Sequence, residues 1–195
     1  MRWMRMKKWF LMTVLSLVTA AGTAQAAFDY GLELGVRQQG GDVAGGAAIS
    51  ANSQTGMQAG AYLHYPLQGG VAHFRTGLLY TQRPLQSEND GTGVKINYDM
   101  QYLDIPLDVL FKPSESFGLY LGFNVSINIA ANCSGDVSCN VKDVETPTFP
   151  FVFGAMFNFT PKWGIDFYLE GANSYVARGL YDFKAVGLNL TYSLP

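Results

Sequence analysis

The chain has 195 residues, of which 48% are hydrophobic, 14% aromatic and only 14% charged. This length suits one domain, and the formal charge of −2 excludes the basic surface of a nucleic-acid-binding protein. Many glycines and aromatic residues, together with alternating apolar and polar side chains, leave a β-sandwich, a soluble barrel or a membrane barrel.

The first 26 residues predict a secretory signal peptide. Four basic side chains lie within the first eight residues, an apolar run covers about 9–21, and Ala24-Gln25-Ala26 forms an A-x-A site before Ala27. The apolar run is too short to span a membrane, which argues against the alternative of an uncleaved anchor helix. We therefore predict a signal peptide at 1–26 and a mature barrel domain at 27–195. The mature chain carries nine basic and fifteen acidic side chains, a net charge of −6.

Eight stretches of alternating side chains predict eight β-strands. They cover residues 28–37, 54–65, 71–83, 96–111, 117–130, 148–159, 163–172 and 184–194. Successive side chains of a strand point to opposite faces. In these stretches one face is large and apolar, and the other holds small, polar and charged residues. Four long loops, predicted at 38–53, 84–95, 131–147 and 173–182, alternate with three short turns.

The stretch 117–130 indicates which class of β-protein fits. Its odd positions are all large and apolar, and its even positions are Gly, Tyr, Asn, Ser and Ala. Glycine weakens a strand unless something needs the space, so it makes a poor face towards water, and a soluble lipocalin-like barrel is disfavoured. We predict an all-β fold, an eight-stranded antiparallel up-and-down transmembrane β-barrel with its apolar face in lipid. The alternating loop lengths put both termini on the periplasmic side.

The fourth predicted strand changes phase near residues 101–103. Below that point Leu103 and Ile105 belong to the apolar face, whereas above it Tyr98, Met100 and Tyr102 do. A slip of one residue exchanges the two faces of a strand. We therefore predict a β-bulge there, with these three upper side chains facing outwards.

The inward face carries most of the charge of the mature chain. A buried charge must be paired or hydrated, and eight strands leave an interior that side chains just fill. We therefore predict a structural network that plugs the lumen, with Arg75 bound to Asp104 and Asp108, rather than a catalytic or proton-relay site. The predicted lumen charges are Asp29, Glu33, Arg37, Arg75, Arg83, Asp104, Asp108, Asp166 and Glu170.

Both cysteines, Cys133 and Cys139, fall in the third long loop. Two cysteines this close in a secreted protein favour a disulfide, which would stiffen the loop. A metal site is a poor alternative, since the loop holds no histidine.

Three short sequences carry a family resemblance. They are Gly77-Leu-Leu-Tyr-Thr-Gln82, Tyr102-Leu-Asp-Ile-Pro-Leu107 and Phe117-Gly-Leu-Tyr-Leu-Gly122. With them the chain resembles the small bacterial outer-membrane β-barrel proteins of the OmpA-like and PorT-like type. The closing sequence, 187–194, is similar to the signal read by the barrel-assembly machinery, although Leu194 replaces the usual terminal aromatic residue and Pro195 follows it. The resemblance implies a Gram-negative outer membrane, with lipid and that machinery as partners.

These features predict a structural or surface-interaction role. The outer loops, chiefly 38–53 and 131–147, would be displayed on a plugged barrel for an extracellular partner that the sequence does not name. A narrow pore is the alternative, and six inward acids against three inward arginines would make it prefer cations. A lipid-modifying enzyme is a weaker alternative, since no serine lies near an accessible histidine in the sequence. We expect no cofactor, no metal and no nucleic-acid partner.

Overall fold

The structure, a computed structural model, describes residues 28–44, 48–67, 70–172 and 175–195. The predicted signal peptide lies outside these ranges and stays a prediction. In the described ranges the strands are β1 (Asp29–Val43), β2 (Ile49–Pro66), β3 (Ala72–Asn89), β4 (Lys95–Ser114), β5 (Phe117–Gly135), β6 (Phe151–Asn158), β7 (Trp163–Gly171), β8 (Tyr175–Ala177) and β9 (Leu180–Ser193). Within the same ranges, no helix is long and apolar enough to cross a membrane.

Eight of these strands form a closed antiparallel ring. The order is β1-β2-β3-β4-β5-β6-β7-β9, and β9 pairs with β1 to complete it, while the short β8 pairs only with β9. The predicted eight-stranded antiparallel barrel is therefore confirmed. Phe28, Pro195, the strand ends at Pro66 and Ala72, and the connections 115–116 and 159–162 lie at one end of the barrel, called here the terminal end. The opposite end, where β3 ends at Asn89 and β5 at Gly135, is called the loop end.

The outer surface of the ring is apolar. On β1, the outward side chains of Leu32, Leu34 and Val36 are 52%, 56% and 51% exposed, whereas the inward side chains of Glu33 and Arg37 are buried. The same alternation continues around the ring. A soluble protein buries its apolar face, so this inversion is typical of a barrel that has lipid as its surroundings.

The wall of the barrel is uneven in height. Strands β2 to β5 have 18 to 20 residues each, whereas β6 has eight and β7 has nine. The tall strands continue past their predicted ends because polar residues there still pair across strands, as Gln86 does with Asn97. The two faces of these segments show no apolar contrast, so the sequence pattern does not mark them. The predicted sixth strand, by contrast, starts later, at Phe151, and Thr148 makes only an isolated bridge to Ser126.

The predicted change of face in the fourth strand is wrong. Met100 and Tyr102 lie inside the barrel and are fully buried, in the same phase as Asp104. The pairing of β4 with β5 is indeed irregular at this height, but the extra residue is Ile129 on β5, because Gln101 lies opposite Ala130 and Tyr102 opposite Asn128. A bulge on the partner strand leaves the faces of β4 unchanged.

Candidate functional site in the barrel lumen

The barrel interior brings together the nine charged residues selected from the sequence. Eight of them are buried: Glu33, Arg37, Arg75, Arg83, Asp104, Asp108, Asp166 and Glu170. Asp29 lies at the terminal end, partly exposed, where its carboxylate is 2.9 Å from His64 Nδ1 and 3.3 Å from Lys112 Nζ.

Arg75 is the centre of the layer nearer the terminal end. Its guanidinium donates to Asp108 at 2.7 Å, to Asp166 at 3.1 Å and to Glu33 at 3.3 Å. The guanidinium carbon also lies 4.3 Å from the centre of the Tyr120 ring, a cation–π arrangement. Arg75 and Asp108 face each other directly in the β3–β4 register, which accounts for the shortest of these contacts.

A second layer lies nearer the loop end and is centred on Glu170. This carboxylate accepts from Arg37 at 2.6 Å and from Arg83 at 3.2 Å. Asp104 binds Arg83 at 2.9 Å, not Arg75 as the sequence analysis predicted. In the β3–β4 register Asp104 lies opposite Leu79, midway between the two arginines, and the side chain of Arg83 extends down to it.

Buried carboxylates outnumber buried guanidinium groups in these two layers by five to three. Neutral donors fill part of the difference: the Tyr120 hydroxyl donates to Asp166 at 2.7 Å, and the Asn124 amide donates to Glu170 at 3.0 Å. Such bonds are needed because a buried carboxylate without donors is costly.

The inward tyrosines are matched by glycines on the neighbouring strands. A Cβ atom added at Gly154 would overlap the Tyr120 ring, and one added at Gly187 would overlap the Tyr168 ring. The inward glycines are recognisable in the sequence as positions that leave space, but the tyrosine rings that use this space are not. Each buried arginine lies near one inward tyrosine, since Arg37 approaches Tyr168 and Arg83 approaches Tyr102.

An apolar cluster closes the lumen above the ionic layers. We call it the apolar cap, and its buried members are Leu85, Met100, Tyr102, Val176, Ala177, Leu180 and Phe183. Leu85, Met100 and Tyr102 come from the tall strands β3 and β4, and the other four residues come from β8 and the start of β9. No local pattern marks the cap, since the sequence predicts a loop at 173–182 and a lipid-facing side chain at Met100.

The loop between β5 and β6 folds over this cap. Its residues 136–148 are called here the strap. The Glu145 amide donates to the Val176 carbonyl of β8, and the Arg178 amide, directly after β8, donates to the Lys142 carbonyl. Val141 and Val144 pack on the apolar cap. Cys139 of the strap forms a disulfide with Cys133, which lies within β5 rather than in the loop.

Removing the disulfide is expected to loosen the strap. The double variant Cys133→Ser, Cys139→Ser opens the loop between two cysteines that are six residues apart. In the chain-entropy model, the stabilisation lost with such a short loop is about 2 kcal/mol. Local opening should then rise roughly 30-fold, and trypsin cleavage after Lys142 should rise with it. Cleavage after Lys162, in a turn at the terminal end, is the internal control. Equal cleavage at Lys142 in both proteins would show that the bond does not hold the strap.

Free space inside the lumen is small. Between the described residues, one space lies beside Glu33, Tyr62 and Asp166, and one lies beside Arg83 and Phe183. Each has a volume of about 10 Å³, as does a third beside Tyr120. A space of that size holds about one water molecule.

A closed ring with an apolar exterior and a polar, filled interior defines an integral membrane β-barrel. The chain belongs to the outer membrane protein beta-barrel domain family, whose model matches residues 23–182. It is therefore an outer-membrane β-barrel protein.

Solved structures of outer-membrane proteins resemble the chain. Neisserial surface protein A has 13% sequence identity, and the match covers 85% of this chain and 97% of that one with a TM-score of 0.50. The attachment invasion locus protein of Yersinia pestis has 14% identity over 86% and 99%, with a TM-score of 0.48. OprG of Pseudomonas aeruginosa has 12% identity over 85% and 91%, with a TM-score of 0.40. No curated protein sequence matches the chain.

Proposed function

We propose that this protein is a closed outer-membrane barrel that presents its loops to an extracellular partner. The terminal end lies in the periplasm and the loop end outside the cell, after removal of residues 1–26. The uneven lengths of the connections support this orientation, since outer-membrane barrels have short periplasmic turns and longer extracellular loops. The barrel wall anchors the display surface, and the charged layers and apolar cap act as its plug.

The filling of the lumen carries this proposal. Two ionic layers and the apolar cap occupy the interior in succession, and three spaces left between their described residues each have room for about one water molecule. The strap covers the cap from the outside. A surface for a partner is then the part of the molecule that remains accessible from outside the cell.

A narrow, cation-preferring pore is the second candidate. The excess of two carboxylates in the buried layers favours it, because a lumen lined with acids selects cations. It requires movement of the cap and of Arg75, which lie across the path.

A lipid-modifying enzyme receives less support. His64 bonds with Asp29, as a catalytic histidine would with its carboxylate, but the nearby Ser193 hydroxyl lies 2.7 Å from Tyr62 Oη. The Tyr62 ring also stacks on His64, with the ring centres 4.7 Å apart, so that Tyr62 contacts both the serine and the histidine. The proposal therefore contains no catalytic step.

Planar-bilayer conductance of the refolded mature chain tests the proposal. The wild type should be silent, and Arg75→Ala should also stay silent, because the layer around Glu170 and the apolar cap still fill the lumen. Steady cation-selective steps from the wild type would overturn the closed barrel and favour the pore. A pull-down of cell-surface material with the wild type and with a variant lacking the strap then tests display.

A further inference from the structure

We propose that the loop-end rim of β6 and β7 binds one hydrocarbon chain of an outer-leaflet lipid. The site is a notch of about 560 Å³ in the outside of the wall, directly below the strap. It is lined by Glu145, Pro147, Thr148, Phe149, Phe151, Gly171 and Ala172.

The uneven wall creates this notch. At the loop end, β6 and β7 stop at Phe151 and Gly171, while β5, which pairs with β6, continues to Gly135. The strap covers the mouth of the barrel but leaves a recess between its lower edge and the two short strands. Gly171 contributes no side chain, and a Cβ placed there would meet no atom within 4 Å.

The notch is continuous with the lipid-facing surface. Phe149 and Phe151 are 61% and 55% exposed, and the Phe149 ring contacts that of the outward Phe123, with the ring centres 6.3 Å apart. Leu169, two residues before Gly171, is also outward and exposed. Since this face is surrounded by acyl chains in a membrane, a hydrocarbon chain reaches the notch without leaving its own environment.

The lining matches an amphiphile rather than a free sugar or ion. Pockets for small molecules measure about 300–1,000 Å³ and combine an apolar lining with a few polar groups. Here Phe149, Phe151 and Pro147 form the apolar part, and the exposed Glu145 lies on the strap side. The hydrocarbon chain of the lipid therefore lies along the phenylalanines, and the polar head group of the lipid is directed towards Glu145.

A filling variant tests the site. Gly171→Leu places a leucine side chain in the notch, where its Cβ atom meets no atom within 4 Å, whereas Ala61→Leu places a leucine on the exposed wall of β2. The probe is palmitoyl lysophosphatidylethanolamine, added to the folded full-length mature protein in detergent and counted by native mass spectrometry. The wild type and Ala61→Leu should each retain one copy, and Gly171→Leu should lose it.

Phe149→Ser provides a second variant that removes a wall of the notch instead of filling it, and it too should lose the retained copy. Folding of each variant is checked by its heat-dependent shift on a gel. Equal retention by all four proteins, or no stoichiometric copy on the wild type, would show that lipid contacts this rim only as it contacts the rest of the wall.

Discussion

Replacing Arg75 by Ala is expected to lower the free energy of unfolding by about 3–5 kcal/mol, the usual cost of breaking a buried ion pair from one side. The substitution leaves Asp108, Asp166 and Glu33 in the interior without their shared cation. Tyr120 loses its cation–π contact as well. Arg75→Lys should recover only part of the loss, since an ammonium group lacks the planar fork that reaches three carboxylates.

Urea unfolding in lipid vesicles measures this loss, with the fluorescence of Trp163 as the signal. Trp163 is the only tryptophan after residue 26, and its exposed side chain lies on the outer face of β7 and not in the lumen. Arg178→Ala removes an exposed arginine from the loop end and should leave the unfolding midpoint in place. A barrel whose stability did not respond to Arg75→Ala would not be held by the charged layers.

Gly154→Ala is expected to destabilise the barrel by about 3 kcal/mol, at the upper end of the range for overpacking. The added methyl group overlaps the Tyr120 ring, so the ring must move away from both Asp166 and Arg75. One methyl group thus disturbs the ionic layer without any change of charge. Gly171→Ala is the matched control, because its Cβ enters open space and should cost little.

A double-mutant cycle separates this clash from the lost flexibility of glycine. In a Tyr120→Ala background the ring is gone, so Gly154→Ala should cost a few tenths of a kcal/mol, and the coupling free energy should be large. If Gly154→Ala lowered the free energy of unfolding equally in both backgrounds, the glycine would not be needed to make room for the Tyr120 ring. The free energies come from the same urea titration.

The ring was predictable because the alternation of side chains is a local property of each strand. Lipid requires one face of every spanning strand to be apolar, so each strand carries the pattern in its own sequence. Residues 28–37 and 163–172 alternate cleanly. The first residues of β1 and β7, Asp29 and Trp163, lie within one residue of the predicted starts. The tall loop-end wall was not predictable in the same way. Outside the lipid, Gln86 and Asn97 pair with each other on a solvated face, so no apolar stripe marks the strand.

Inward charges were recognisable from alternation, but their partners were not. Pairing depends on strand tilt and side-chain reach, which placed Asp104 on Arg83 and not on Arg75. The apolar cap depends on residues far apart in sequence, such as Leu85 and Val176, which no local pattern links. Met100 and Tyr102 illustrate the difficulty, since an apolar residue that caps a lumen looks the same in sequence as one that faces lipid.

The positions of the ion pairs also predict an order of events in folding. Arg75 and Arg83 lie on β3 and bind Asp166 and Glu170 on β7, a strand four places away around the ring in either direction. Strand neighbours can pair while the sheet is still open, but these opposite side chains meet only when β1 closes on β9. Contacts made after the rate-limiting step slow unfolding and leave the folding rate almost unchanged. We therefore expect the charged layers to act mainly on the lifetime of the finished barrel, so that Arg75→Ala speeds unfolding more than it slows folding.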